Sequence, residues 1–336
     1  GSMRKFLILF IGLCLQCQVT LAQDPLFTQS VYILESINPG FSGFEDSGRT
    51  HMGLIHRTQW PNLDLKVNTE YLFWNTSVDN GPRMGYGFGV SVLNHNESKT
   101  NYNYSQVNIN YAHRVYLNGG WYFRPALEVG FGLKNFAFGN ILLSDQIDLN
   151  SNTIAPNSID PSVNGLDNIF FTDISTGYVF EREERYGVSY WIGASIKHIN
   201  RPNISFIEGE NVPLDIFYSV HANIGFPVLF DNNVQIVANY MQQGEYNRLD
   251  IGPMVNLSDD INLGVTAVTN PAKNGLNGHL LTSINSFVGL NYDNFRFGLS
   301  YDYNTSKIGN TYGVYELSVT YLSRCRNCYT NRSRKR

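Results

Sequence analysis

From about residue 50 to residue 322 the chain is written in runs in which apolar side chains alternate with small or polar ones. A period of two puts the two classes on opposite faces of a pleated strand, and almost no helical periodicity interrupts it. In Tyr186 to His198 the apolar set is Tyr186, Val188, Tyr190, Ile192, Ala194 and Ile196, set against Gly187, Ser189, Trp191, Gly193, Ser195 and Lys197. Phe295, Phe297, Leu299, Tyr301 and Tyr303 alternate in the same way with Arg296, Gly298, Ser300, Asp302 and Asn304, as do Tyr315, Leu317, Val319 and Tyr321 with Glu316, Ser318 and Thr320. Gly, Asn and Asp turns divide the pattern into fourteen strands, at 50–60, 65–76, 85–95, 102–116, 121–135, 168–181, 186–198, 214–226, 233–243, 246–257, 260–269, 280–291, 294–304 and 313–322.

A tilted strand crosses a bilayer in roughly 9 to 11 residues, whereas a helix needs about 20 apolar ones. Beyond the first residues no apolar run reaches that helical length, so a membrane-crossing chain of this kind must close its sheet and pair every backbone group. The sequence holds 21 Tyr and 21 Phe with only 15% charged residues. Tyr102, Tyr104, Tyr301 and Tyr303 fall near strand ends, where aromatic girdles meet the membrane interfaces. A soluble β-sandwich would also alternate; strand length and tyrosine placement favour an all-β, transmembrane antiparallel barrel of about 14 strands with an N-terminal pre-barrel segment. Even strand number and short periplasmic turns place both termini on the periplasmic side of a bacterial outer membrane. From the third strand on, tight turns at 117–120, 182–185, 227–232, 258–259 and 292–293 interleave with mostly longer connections. Gly244-Glu245 is shorter than this scheme expects, and the first two connections, at 61–64 and 77–84, fit it poorly. Pro253, inside a strand, suggests a bulge or kink.

Gly1-Ser2 ahead of Met3 has the look of a cloning remnant. Arg4 and Lys5, the apolar run Phe6 to Leu15 and the small-residue site Thr20-Leu21-Ala22 read as a secretory signal, with the mature chain starting near Gln23. Cys14 and Cys17 lack the preceding small residue that lipidation needs. The organisation is therefore 1–22 remnant plus signal, 23–49 pre-barrel or plug segment, 50–322 barrel, and 323–336 a basic periplasmic tail. No cysteine lies between Gln23 and Arg324, so the body carries no disulfide framework. In the tail, Cys325 and Cys328 form a disulfide, stay thiols or supply half a zinc site with no second pair to complete it. Arg324 and Arg326 beside them are candidate contacts for anionic headgroups or a periplasmic partner, or belong to a solvated end.

Signal and tail hold bases but no acids, leaving 16 bases against the chain's 28 acids in between. Such a body does not attract nucleic acid. The acids read most simply as solvated loop residues; in the lumen or at its mouth they would favour cationic ligands. No nucleophile elbow, His-Glu-x-x-His pair or phosphate loop is present. A barrel hydrolase would need Ser, His and a polar partner aligned on the outer wall. His51 and His56, five apart on one strand, point to opposite faces and make a poor metal pair. Asp148 to Thr153 copies the start of a calcium loop but has Thr153 where Gly belongs and Ile159 where the bidentate Glu belongs. No catalytic residue, cofactor or metal is expected.

Three short motifs stand in order after the signal: Gln23-Asp24-Pro25-Leu26-Phe27-Thr28-Gln29, Asn38-Pro39-Gly40-Phe41-Ser42-Gly43, and Arg57-Thr58-Gln59-Trp60. Together with a barrel pattern over the full mature length, they resemble the signature of the PorP/SprF family of type IX secretion system membrane proteins, with Ser36-Ile37 and Gly40 varying its wording. The resemblance implies an outer-membrane protein of Bacteroidetes-type secretion and gliding machinery that binds and does not catalyse. Its implied partners are the C-terminal sorting domain of a secreted surface adhesin, periplasmic ring proteins and outer-membrane lipid. It points to Asp24, Pro25, Phe27, Gln29, Asn38, Pro39, Gly43, Arg57, Gln59 and Trp60 as binding residues, with outer loops 136–167 and 199–213 holding the partner. The alternatives are that these residues only fold a plug and seat the first strand, and that the barrel is a passive or substrate-specific porin.

Overall fold

The computed structural model describes residues 24–31, 33–43, 48–61, 66–79, 83–136, 147–148, 153–154, 168–182, 187–228, 232–258, 260–271, 278–305 and 313–324. Its strands are β1 (Thr50–Gln59), β2 (Val67–Asp79), β3 (Met84–Glu97), β4 (Tyr102–Tyr116), β5 (Trp121–Asn135), β6 (Ile147–Asp148), β7 (Thr153–Ile154), β8 (Asn168–Arg182), β9 (Ser189–Lys197), β10 (Phe217–Val228), β11 (Asn232–Gln243), β12 (Tyr246–Leu257), β13 (Ile261–Pro271), β14 (His279–Tyr292), β15 (Phe295–Asn304) and β16 (Val314–Leu322). β6 and β7 form a separate two-stranded hairpin, and the other fourteen close into an antiparallel barrel in which β1 pairs with both β2 and β16.

The alternation explains the wall. On β5, Tyr122, Arg124, Glu128 and Lys134 turn inward and are buried, while Leu127, Val129 and Phe131 face out, Leu127 being 62% exposed. The same outward belt runs through Leu72, Ile109, Val220, Leu290 and Leu317. A continuous apolar exterior of this kind suits hydrocarbon, and closing the sheet joins its first strand to its last.

The strands match the fourteen read from the sequence, but β2 lies further along the chain than its alternation suggests. Its register runs from Thr50↔Thr76 to Gln59↔Val67 against β1 and reaches Asp79↔Gly85 against β3. The first two connections thus become 60–66 and 80–83, and the first is now the longer of the two. Trp60, which leaves β1 in the left-handed region (φ 51°), begins the first of them. At Pro253 the expected bulge is absent: β12 keeps one register against β13, from Ile251↔Ala267 to Met254↔Gly264. The missing proline donor is absorbed as a gap in the ladder, and the register shift lies instead at Val268/Thr269, opposite β14.

Inside the barrel, residues 24–43 form three short 3-10 turns, Thr28–Val31, Leu34–Ser36 and Pro39–Phe41. Phe27 and Ile33 of this segment pack with Ile55, Tyr71 and Phe73 of the wall.

Candidate functional site

The lumen segment runs from one end of the barrel to the other. The Asp24 N–H donates to Gln243 Oε1 at 2.9 Å, and its carboxylate lies 2.9 Å from His198 Nε2. Gln243 ends β11 and His198 follows β9, so both stand at the long-loop end. Gly43, in the left-handed region (φ 67°), reaches Asn75 Oδ1 at 3.3 Å and packs on Ser77 and Gly87, near the short-turn ends of β2 and β3. β1 then starts at the short-turn end, where β16 also finishes. The described start of the chain, Asp24, lies at the opposite mouth.

Three sets of buried polar groups fix the segment. The first lies where β1 meets β16. Arg57 and Glu316 are directly opposed across that ladder and ion-paired through Nη1, which also reaches Asp302 Oδ2 at 3.3 Å. The Glu316 carboxylate accepts the Thr28 N–H at 2.6 Å and the Gln29 N–H at 2.9 Å. The Thr28 hydroxyl donates to Asp302, and the Gln29 amide donates to the Glu316 carbonyl at 3.2 Å while accepting from Ser318. Two motifs far apart in sequence thus close on one pair of acids.

The second set lies at mid-lumen. Asn38 donates to the carbonyls of Tyr178 (3.1 Å) and Ala194 (3.2 Å), meets His221 Nε2 at 2.9 Å, and accepts the Gly40 N–H at 2.8 Å. Its approach to β8 requires Gly177, where a Cβ would collide with Asn38 Oδ1. The third lies toward the short-turn end. Arg124 donates to the carbonyls of Gly40 (3.0 Å) and Ser42 (3.1 Å), and Glu35 takes hydrogen bonds from His51 (3.0 Å) and Asn75 (2.7 Å). A Cβ at Gly87 would strike the Ser42 carbonyl.

At the outer mouth His198 joins three elements. Its Nε2 faces Asp24 and its Nδ1 lies 2.9 Å from Asp173 on β8. Burial pulls the His198 pKa down, but the Asp24 charge and the hydrogen bonds of Asp173 and Asp24 outweigh it and raise it to about 9. Burial pushes Asp24 up, yet the His198 charge and hydrogen bond, with Lys197 and Lys134, hold its carboxyl well below the usual range. Beyond His198, residues 199–216 fold back over the mouth: Ile204 and Leu214 are buried against Tyr104, Ile169 and Phe171. The Ile199 N–H donates to the Ile174 carbonyl at 3.0 Å. A cavity of about 50 Å³ remains under this lid, lined by Asp24, Glu35, Glu128, Asp173, Lys197 and His198 among others.

Of the residues singled out in the sequence, Asp24, Phe27, Gln29, Asn38, Pro39 and Gly43 belong to the segment or its wall contacts, and Pro25 lines the cavity. Arg57 meets Thr28 beside Gln29, while Gln59, which ends β1, and Trp60, which follows it, stand outside the cluster; the Trp60 N–H donates to the Gly313 carbonyl at 3.3 Å. Arg324 is exposed near Asp293 (3.7 Å) at the short-turn end. Cys325, Arg326 and Cys328 lie outside the described residues, as do most of loop 136–167 and residues 149–152 of the calcium-like stretch. Sequence reasoning missed Glu316, Asp302, Asp173, His198 and Arg124. The simple reading of the acids as loop residues fails for Glu35, Glu128, Asp173, Glu181, Asp302 and Glu316, all buried within the barrel. The usable signal was strand parity, which puts Asp302 and Glu316 on the polar face of their strands, where an ionisable group needs a partner.

A family model described as type IX secretion system membrane protein PorP/SprF matches residues 19–321. No curated protein matches the chain. Among solved structures, the TodX monoaromatic hydrocarbon channel deltaS2 mutant is similar at a TM-score of 0.44 and 11% identity, over 85% of this chain and 91% of that one. The Ralstonia pickettii toluene transporter TbuX gives 0.46 and 10%, over 86% and 92%, and the KdgM porin 0.36 and 9%, over 81% and 98%. At these values the likenesses carry no argument about function.

Proposed function

The chain belongs to the PorP/SprF family of type IX secretion system membrane proteins, and from that premise we propose that it is a plugged docking barrel of the bacterial outer membrane, binding its partners and catalysing nothing. In this reading the long-loop face holds the C-terminal sorting domain of an exported surface adhesin for export or anchoring. Periplasmic ring proteins engage the short-turn end, and residues 1–22 are removed on export. The tail from Ser323, with Arg324, Cys325, Arg326 and Cys328, lies in the periplasm. The signature residues Gln29, Asn38 and Arg57 serve the partner indirectly, by holding the segment that shapes the mouth.

The observation that supports this best is the segment lodged in the lumen. Among the described residues, 24–43 are pinned to the wall by Glu316, Arg124 and the carbonyls that Asn38 reaches, and the cavity beneath the lid has room for only a few waters. A porin of fourteen strands needs an open path through that space. The test is affinity purification of the tagged barrel from native outer membranes, with bilayer conductance measured on the same material. Recovery of a large surface protein through its C-terminal domain, or of ring components, from a silent barrel supports docking. A partner-free barrel that conducts replaces it with the porin reading.

A further inference from the structure

We infer that the leading end of the lumen segment, at Asp24 and Pro25, is presented on the outer face of the barrel, within reach of the medium outside the cell and not of the periplasm. This uses the outer-membrane placement with long loops outside and is independent of the docking reading.

The first support is where Asp24 is fixed. Its backbone is held by the last residue of β11 and its carboxylate by the residue just after β9, both at the long-loop end. The second is the shape of the rim there. β8 pairs with β5 up to Asn135↔Asn168 but with β9 only up to Thr176↔Ile196, so β8 stands above its neighbour and leaves a notch. The chain from His198 onward lies in that notch, bonded to the free edge of β8 through Ile199 and Asn200. Asp24 sits beside His198, at the foot of the notch.

The third support is exposure along the segment: Gln29 and Asn38 are fully buried, while the Asp24 side chain is 17% exposed. The outer mouth is thus a composite surface, made of the lid and the leading end together. A macromolecule outside the cell can reach it, and a periplasmic one cannot.

The experiment inserts a Ser-Gly-Cys-Gly-Ser stretch between Gln23 and Asp24 of the full-length protein, with Cys325 and Cys328 replaced by Ser. A companion variant carries the same stretch after Arg336. Both are exposed to a membrane-impermeant maleimide in intact and in permeabilised cells, with a periplasmic thiol protein as the integrity control and heat-modifiable migration as the folding control. The expected result is that the leading-end cysteine labels to the same extent in intact and permeabilised cells, whereas the cysteine after Arg336 labels only after permeabilisation. Should the insertion upset folding, the leading end is assayed in the otherwise unaltered chain, by N-terminal sequencing after protease is added to intact cells; trimming at the segment's start is expected. Labelling of the leading end only after permeabilisation, or a start that protease cannot reach in folded barrels, overturns the inference.

Discussion

Replacing Glu316 by Leu should destabilise the barrel more than any other single change in the lumen. Glu316 accepts from Arg57, from the Thr28 and Gln29 N–H groups, and from Ser300 Oγ at 3.3 Å. Without it, the buried Arg57 guanidinium keeps Asp302 as its carboxylate, and two buried N–H groups lose their acceptor. Breaking a buried pair costs about 3–5 kcal/mol and a stranded donor about 1–3 kcal/mol, and terms in one network overlap, so we expect a loss of roughly 4–6 kcal/mol. Arg57→Met should cost less, about 2–3 kcal/mol, because the acid keeps its backbone donors. The double variant should fall short of the sum by about 1–3 kcal/mol, the coupling of a contacting pair. Denaturant titration of the refolded barrel in lipid, read by tryptophan fluorescence and heat-modifiable migration, measures all three. A Glu316→Leu loss under about 1 kcal/mol, or additivity within about 0.5 kcal/mol, refutes the idea that this cluster anchors the segment.

Gly87→Val and Gly177→Val each place side chains where Ser42 O and Asn38 Oδ1 now stand; both should release the segment to protease while the barrel stays heat-modifiable, as limited proteolysis will show. The His198 junction should depend on pH in both directions. His198 is raised to about 9, so its contribution is complete below 6.5 and lost as pH rises through 9; Asp24 is depressed, so its contribution is complete above 3.8 and lost only at strongly acid pH. Protease trimming of the leading end should therefore be slowest between those limits and rise above pH 9, and a flat profile would remove the junction's role. On the lipid face, Leu127→Arg at mid-strand should cost about 2–4 kcal/mol and Phe170→Arg near the start of β8 about 0–1 kcal/mol, measured by the same titration.

The barrel was legible because hydrocarbon outside forces a strict period of two on every strand. Boundaries slipped where that pressure ends: Val78 and Asp79 extend β2 past its last clear alternation, and Gly187 and Val188 precede β9, Tyr186 lying outside the described residues. The motifs marked the segment correctly as special, yet its path was not legible. Three short 3-10 turns have no period, and their partners lie far away in sequence, as Thr28 and Glu316 do. Parity was available for Glu316 but confusing near the outer mouth. There Ile169 and Phe171 point inward with Asp173, because the lid supplies apolar cover that no local pattern announces.

The Arg57–Glu316 pair spans the ladder between the first and last strands of the barrel, and this has a kinetic meaning. Before β16 joins, the sheet has two bare edges, Arg57 has only Asp302, and the Thr28 and Gln29 N–H groups lack the Glu316 carboxylate. All three deficits end in one event, across sequence separations of 259 to 288 residues, where loop closure is slow. Closure, charge compensation and seating of the segment are then a single cooperative step, and an open intermediate gains nothing from making one of them early. Such a chain stays adhesive at both edges until its last strand is in place, which makes escort through the periplasm, more than any local propensity, the condition for reaching the folded state.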